Sequence, residues 1–355
     1  MRFHVLGLPH TSTTATHQWC AFTNDVQNFC TMMTLRGHET FLYAGPRNEA
    51  LVTEHIPCIT KKQQKTWFGK GFSDRLTPDD LFVESTPWWT AFNATTIGEI
   101  NKRIEPGDFI VTIVGKAHAA VVDAFPDNTS VEWAVGFPAD RRYTKFANYV
   151  SYAWRNHCEG RNGMCFLNWY DSVIPMPFAD PGETERVNEG YLLFVGRKNQ
   201  SKGLHIANDI AVRSGRHLIV AGAGDEALAP DAEHVGIVTG AAKNALISHA
   251  HALLVPSIYA EPFGTVVVEA QILGVPTITS DFGAFTETVL PGYNGSRCRT
   301  MAEFLVAVEA DYGPPETIGL SARQLYCYNT QTGAGMPGDQ YDQWFERLHS
   351  SWYPD

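Results

Sequence analysis

Apolar positions in this chain gather in short unbroken runs separated by polar segments of helical length. Phe3-His4-Val5-Leu6-Gly7-Leu8 opens as a strand-like run and passes into a loop rich in Ser and Thr. A helix-length segment follows from about Asn24 to Arg36, and Gly37 suits the left-handed position past a helix end. Thr40-Phe41-Leu42-Tyr43-Ala44 reads as a second strand, so strand, helix and strand succeed one another as in a parallel βαβ unit. Asp108 to Gly115 and Val131 to Gly136 supply further strand-like runs. Lys61 to Thr96, with Trp67, Phe68, Trp88 and Trp89, lacks clean periodicity and reads as an insertion carrying short helices. Its aromatics either line a groove or fill a core.

The second half repeats the alternation more plainly. Tyr191 to Gly196 is a continuous apolar run bounded by turn residues, as expected of a strand covered on both faces. A helix from about Gly203 to Ser214 follows, then strands at His217 to Gly222, Ala252 to Pro256 and Thr277 to Ser280. Two sets of parallel βαβ units predict an α/β protein of two Rossmann-like domains. Prolines 175 and 177 break an extended linker, which places the domains at 1–172 and 173–335. Residues 336–355 form a C-terminal helix in which Tyr341, Trp344, Phe345 and Leu348 share one face. That face packs either on its own domain or back on the first.

A length of 355 residues, 44% of them apolar and 18% charged, agrees with two cored domains and excludes disorder as a description of the chain. The formal charge of −11 argues against broad attraction to nucleic acid or anionic lipid, though not against a local basic pocket. No basic amphipathic helix supports a membrane-surface role, and peripheral membrane contact stays an open alternative. The seven cysteines are scattered without a Cys-x-x-Cys pair, which favours reduced buried thiols. The opening run is too short for a signal peptide, and no run spans a bilayer. The expected setting is cytoplasmic.

Two windows carry chemistry. In Pro256-Ser257-Ile258-Tyr259-Ala260-Glu261-Pro262-Phe263-Gly264-Thr265, a buried strand ends, a loop carries Glu261, and a helix starts at about Phe263 or Gly264. The first-turn amides of that helix make a seat for an anion, which the absence of a Cβ at Gly264 lets approach closely. Glu269 lies further along, where a carboxylate can accept from a diol; the plainer alternative has Glu261 capping the helix and Glu269 solvated. In Phe194-Val195-Gly196-Arg197-Lys198-Asn199-Gln200-Ser201-Lys202-Gly203, two separated cations follow a strand, a pattern suited to clamping a diphosphate or to a solvated basic loop.

Gly196-Arg197 with Lys202-Gly203, then Ala221 to Gly224, then Glu261 and Glu269, resembles the retaining glycosyltransferases of family four, which have the GT-B fold. Leu273-Gly274-Val275-Pro276, Gly283-Ala284-Phe285-Thr286-Glu287 and Pro291-Gly292-Tyr293-Asn294-Gly295 fit the same family, as does Arg36-Gly37-His38-Glu39 in the first half. The resemblance implies two Rossmann-like domains facing each other across a cleft, the first on the acceptor side and the second on the donor side. It implies a hexose moved, with retention, from a UDP- or GDP-linked sugar to an acceptor hydroxyl on a glycan, lipid or small molecule. Arg197 and Lys202 would hold the diphosphate, Glu261 would face the donor sugar, and Glu269 would bind the ribose. Gly196, Phe263, Gly264 and Thr265 would line the donor, with the base against the turn at Val238. His118, in the loop after a first-domain strand, is the candidate for a histidine near the donor sugar; a purely structural role is the alternative. No metal and no cofactor are implied, the nucleotide sugar being a substrate. The first-strand loop lacks the family's usual Gly-Gly, which leaves the acceptor mode open. A nucleotide-sugar epimerase of similar fold and a non-catalytic sugar-nucleotide-binding protein are the alternatives.

Overall fold

Each apolar run becomes a strand whose alternate residues enter opposite covers of a parallel sheet. The computed structural model describes residues 1–17, 20–69, 81–135, 142–161, 163, 168–182 and 186–352. Residues 1–150, 157–179 and 328–355 form one unit, and residues 151–156 and 180–327 form the other.

The first unit is built on β1 (Arg2–Leu6), β2 (Glu39–Ala44), β3 (Glu54–Pro57), β4 (Phe109–Thr112), β5 (Thr129–Val135), β6 (Phe146–Tyr149) and β7 (Ser172–Val173), in the order β3-β2-β1-β4-β5-β6-β7. All of its pairings are parallel. A two-stranded piece joins β8 (Phe178–Ala179) to the later β15 (Cys327–Tyr328). The second unit carries β9 (Leu192–Val195), β10 (Leu218–Ala221), β11 (Glu233–Gly236), β12 (Ala252–Val255), β13 (Thr277–Ser280) and β14 (Gly295–Cys298), in the order β11-β10-β9-β12-β13-β14. Leu192 and Phe194 enter one core with Leu204, Ile210 and Val220, while Leu193 enters the other with Ile247, Val267 and Phe285. Both sheets reverse strand order beside their first strand, between β1 and β4 and between β9 and β12. In open parallel sheets, loops at such a reversal form the ligand crevice.

The two-residue β7, β8 and β15 escaped the hydrophobic pattern, and so did four longer strands: β3, β6, β11 and β14. Three of these four are sheet edges, where a short polar strand suffices and no apolar run is needed. The insertion expected at 61–96 contains a full helix at Pro87–Ile100, with Trp89, Phe92, Thr96 and Ile100 buried at spacings of three and four. Thr96 hid the period. Its hydroxyl donates to the carbonyl of Phe92 at 2.8 Å, so a polar residue occupies a core position. Residues 70–80 of that segment, and Gly136 at the end of the expected strand, lie outside the described residues.

The chain changes unit at 179/180 and again at 327/328, where the pattern had suggested 172/173 and 335/336. β7 is hydrogen-bonded to β6, so Ser172 and Val173 still belong to the first sheet. The helix Met336–Trp352 also lies in the first unit. Its Tyr341, Trp344, Phe345 and Leu348 are buried, and Phe345 meets Phe3 and Phe109 at ring distances of 4.7 and 5.0 Å. Arg36 donates to Asp342 at 2.6 and 2.8 Å, and His38 lies 2.8 Å from the same carboxylate. The Arg36 to Glu39 motif thus serves to fasten the C-terminal helix. Cys30, Cys58, Cys298 and Cys327 are free and buried, Cys158 is buried and Cys20 is free and half-buried, while Cys165 lies outside the described residues. Among the described residues no helix is long and apolar enough to cross a membrane.

Candidate functional site

Because β9 and β12 are neighbours in the second sheet, the loops that follow them emerge side by side. Their main chains touch. Gly203 holds φ +71°, and a Cβ there would stand 1.9 Å from the carbonyl oxygen of Pro256. The amide of Ile258 donates to Ser201 at 2.8 Å across the same junction. Lys202, next to Gly203, is thereby aimed at the second loop, and Asn199 Oδ1 holds its amide at 2.9 Å.

At that junction Lys202 Nζ lies 2.6 Å from Glu261 Oε1. Ser257 donates its hydroxyl to the same oxygen at 2.8 Å, and Tyr259 donates to Oε2 at 2.6 Å. The ammonium also sits 4.9 Å from the centre of the Tyr259 ring. Glu261 is 5% exposed and does not cap the helix, contrary to the plainer sequence alternative; a buried carboxylate needs donors, and these three side chains supply them. The Ala284 amide donates to the Glu261 carbonyl at 3.1 Å, so the main chain is held too.

The helix begins at Thr265 rather than at Phe263 or Gly264, because Gly264 stands left-handed at φ +80° as its N-cap. A Cβ on Gly264 would come within 2.6 Å of the Phe285 ring. Phe263 is buried, with its ring 5.9 Å from that of Tyr326, and Thr265 is half-buried in the first turn. Glu269 is paired rather than solvated: Lys243 Nζ lies 2.6 Å from its Oε1, both side chains being mostly buried. Gly196 and Arg197 follow β9, and Arg197 is exposed with no ion-pair partner among the described residues. Val238 is half-buried in the turn between β11 and the helix Gly240–Ser248. The second unit thus brings Lys202, Glu261 and the first turn of the Thr265 helix to one end of its sheet. An ammonium carries three protons, so Lys202 can keep Glu261 and still reach an anion.

His118 belongs to the first unit, in the turn Gly115–His118 after β4. It is fully buried, 5.0 Å from the Trp89 ring centre, and burial holds its pKa down to about 3. Neither ring nitrogen has a hydrogen-bond partner among the described residues. The turn itself hangs on Glu132, whose carboxylate accepts from the Gly115 amide and the Thr112 hydroxyl, each at 2.7 Å.

Burial pushes the Glu132 carboxyl up to about 7 from 4.5. An acid raised in the folded state is protonated there when the unfolded chain has already ionised. Its contribution is therefore fully present below pH 4.5 and is lost as the pH rises through 7. Wild-type stability relative to Glu132→Gln should fall by about 1–3 kcal/mol between about pH 5 and pH 8. The buried histidines 10 and 118, both held near 3, push the other way but cancel in the difference. Urea denaturation of both proteins across this range checks it, and a constant difference would contradict it.

Tyr259, Ser257 and Lys243 are the functional candidates that sequence reasoning missed. The two hydroxyls lie inside the quoted window but carry no motif of their own. Lys243 stands 26 positions before Glu269 on another helix, with no local signal linking the two. Among the described residues no group of three or more His, Cys, Asp or Glu side chains is placed to hold a metal ion.

Comparison with known proteins bears on this same region. Residues 177–303 match the family described as "Glycosyl transferases group 1". Glycogen synthase of Mycobacterium tuberculosis is 32% identical over 181 residues, which cover 46% of this chain and 41% of the relative. The match therefore spans about two fifths of that protein. Among solved structures, sucrose-phosphate synthase from Thermosynechococcus elongatus is 15% identical with a TM-score of 0.67, covering 99% of this chain and 100% of the other. HepE of Anabaena, solved in complex with UDP-glucose, is 15% identical with a TM-score of 0.65, again over 99% and 100%. At such identities the likeness establishes the fold. The chain has the GT-B fold, and its residues 177–303 are similar to the glycosyl transferases group 1.

Proposed function

We propose that the protein is a retaining glycosyltransferase of family four that moves a hexose from a UDP- or GDP-linked sugar to an acceptor hydroxyl on a glycan, a lipid or a small molecule. The convergence of Lys202, Glu261 and the Thr265 helix at the strand-order reversal of the second sheet carries the reading. The group 1 match over these residues supports it, as does the fold shared with a protein solved with UDP-glucose.

In this reading Arg197, Lys202 and the first-turn amides neutralise the diphosphate as it leaves, a preorganised electrostatic contribution of the kind that dominates many active sites. The bond between the anomeric carbon and the β-phosphate oxygen breaks. The departing oxygen takes the acceptor proton, and the acceptor oxygen bonds to the same face of the sugar. Glu261 receives sugar hydroxyls, Glu269 receives the ribose diol, and Gly196, Phe263, Gly264 and the Val238 turn line the donor. The diphosphate is held without a metal.

Calorimetry with UDP, GDP and their 2′-deoxy counterparts tests the reading. Wild type should prefer one ribonucleotide over its deoxy form. Glu269→Ala should lose about tenfold of that preference, a charge-assisted hydrogen bond being worth about 1.5–3 kcal/mol. An unchanged preference rejects the ribose role. Absence of binding to every nucleotide and nucleotide sugar rejects the function, and a trapped covalent glycosyl-enzyme rejects the front-side route.

A further inference from the structure

Glu261 is the most heavily engaged side chain of the candidate site, and the way it is engaged raises a problem. Lys202, the cation assigned to the diphosphate, is in the ligand-free protein an ion-pair partner of Glu261. Once its ammonium turns towards phosphate oxygens, Glu261 at 5% exposure loses some or all of the one cationic partner it has among the described residues. A carboxylate left in that position must find other donors, take a proton or swing away. Tyr259 meets the difficulty at both ends. Its hydroxyl holds Oε2, the oxygen Lys202 does not use, at 2.6 Å. Its ring face lies 4.9 Å from the ammonium and offers the cation a second resting place.

We infer that Tyr259 is the positioning residue of this site, keeping the Glu261 carboxylate aimed while Lys202 is shared between carboxylate and diphosphate. The inference rests on the reading of the site as a nucleotide-sugar site and assigns it a residue that the family resemblance did not supply. Three observations favour it over a purely structural tyrosine. The hydroxyl and the ring serve the two opposite charges of one ion pair. Burial and the neighbouring carboxylate raise the phenol's pKa, so it remains a proton donor throughout the neutral range. Ser257 donates to Oε1 alone, so Oε2 depends on Tyr259 for its donor among the described residues.

Two variants separate the roles. Tyr259→Phe keeps the ring and removes the donor, and Tyr259→Leu removes both. The readouts are the affinities for UDP and GDP, and the kcat and KM for nucleoside diphosphate release from UDP-glucose or GDP-mannose, whichever the wild type turns over. Tyr259→Phe should lower kcat about tenfold to a hundredfold, the effect of one hydrogen bond to an ionised group, while nucleotide affinity stays within about twofold. Tyr259→Leu should lower kcat at least as far and also weaken nucleotide binding, because Lys202 loses its second seat.

A Tyr259→Phe protein with wild-type kcat overturns the inference. So does one in which kcat and nucleotide affinity fall together with the melting temperature, which marks a structural role. Should Tyr259→Phe fold poorly, Ser257→Ala replaces it. Removing the other hydroxyl should then shift kcat in the same direction, and an unchanged kcat refutes the aimed carboxylate. A wild type that binds neither nucleotide overturns the nucleotide-sugar reading and this inference together. Normal nucleotide binding with an unaffected Tyr259→Phe removes the inference alone.

Discussion

Replacing Lys202 by alanine should lower nucleotide-sugar turnover by about tenfold to a hundredfold or more, because one change removes two charge-assisted contacts. The first is the proposed contact with the leaving diphosphate, where developing charge would be met by a cation already in place. The second is the 2.6 Å pair with Glu261, which is then left with only the hydroxyls of Ser257 and Tyr259. Breaking one side of a partly buried pair also destabilises the fold. Turnover should therefore be compared with the melting temperature. A loss of activity at temperatures where the variant is fully folded is the expected result. Wild-type turnover with a donor that the native protein uses would remove Lys202 from the clamp. Lys202→Arg should recover part of the rate, since the charge is kept while the geometry of its donors changes.

Gly203→Ala, one residue away, should act on folding instead. A methyl at this position would sit 1.9 Å from the Pro256 carbonyl oxygen and 2.7 Å from its carbon, which are main-chain atoms of the neighbouring loop and have little room to retreat. The left-handed φ of +71° adds its own cost for any L side chain. Together these should cost about 3 kcal/mol or more, measured by urea denaturation. Gly215 is the internal comparison. It has φ +69°, yet nothing lies within 4 Å of the Cβ it would gain. Gly215→Ala should therefore cost only about 1–2 kcal/mol, the conformational part alone. Equal losses at both glycines would mean that the two loops do not meet as closely as described.

Much of this protein is legible along the chain. The buried runs that became β1, β2, β4, β9, β10 and β12 announce themselves because strands covered on both faces are mostly apolar. Arg197, Lys202 and Glu261 are equally visible, since each stands beside glycines or prolines just past a strand end. What stayed hidden has two causes. Edge strands such as β3, β11 and β14 need no apolar run, and in the helix Pro87–Ile100 a hydrogen-bonded threonine took a core position. Both defeat a reading based on hydrophobic pattern alone.

Side-chain partnership is the other limit. Local spacing was enough to place Glu261 in the loop before a short helix and Glu269 further along it, and to find the apolar face of Tyr341, Trp344, Phe345 and Leu348. It could not say that Lys243 would pair with Glu269, that Tyr259 would turn to Glu261, or that the C-terminal face would close on Phe3 and Phe109. Spacing reports what lies on one face of one element, and it does so because helix and strand have fixed periods. Which elements become neighbours depends on strand order. The insertion of β9 between β10 and β12 set two loops against each other across more than fifty residues of chain, and the ion pair at their junction exists because of that adjacency.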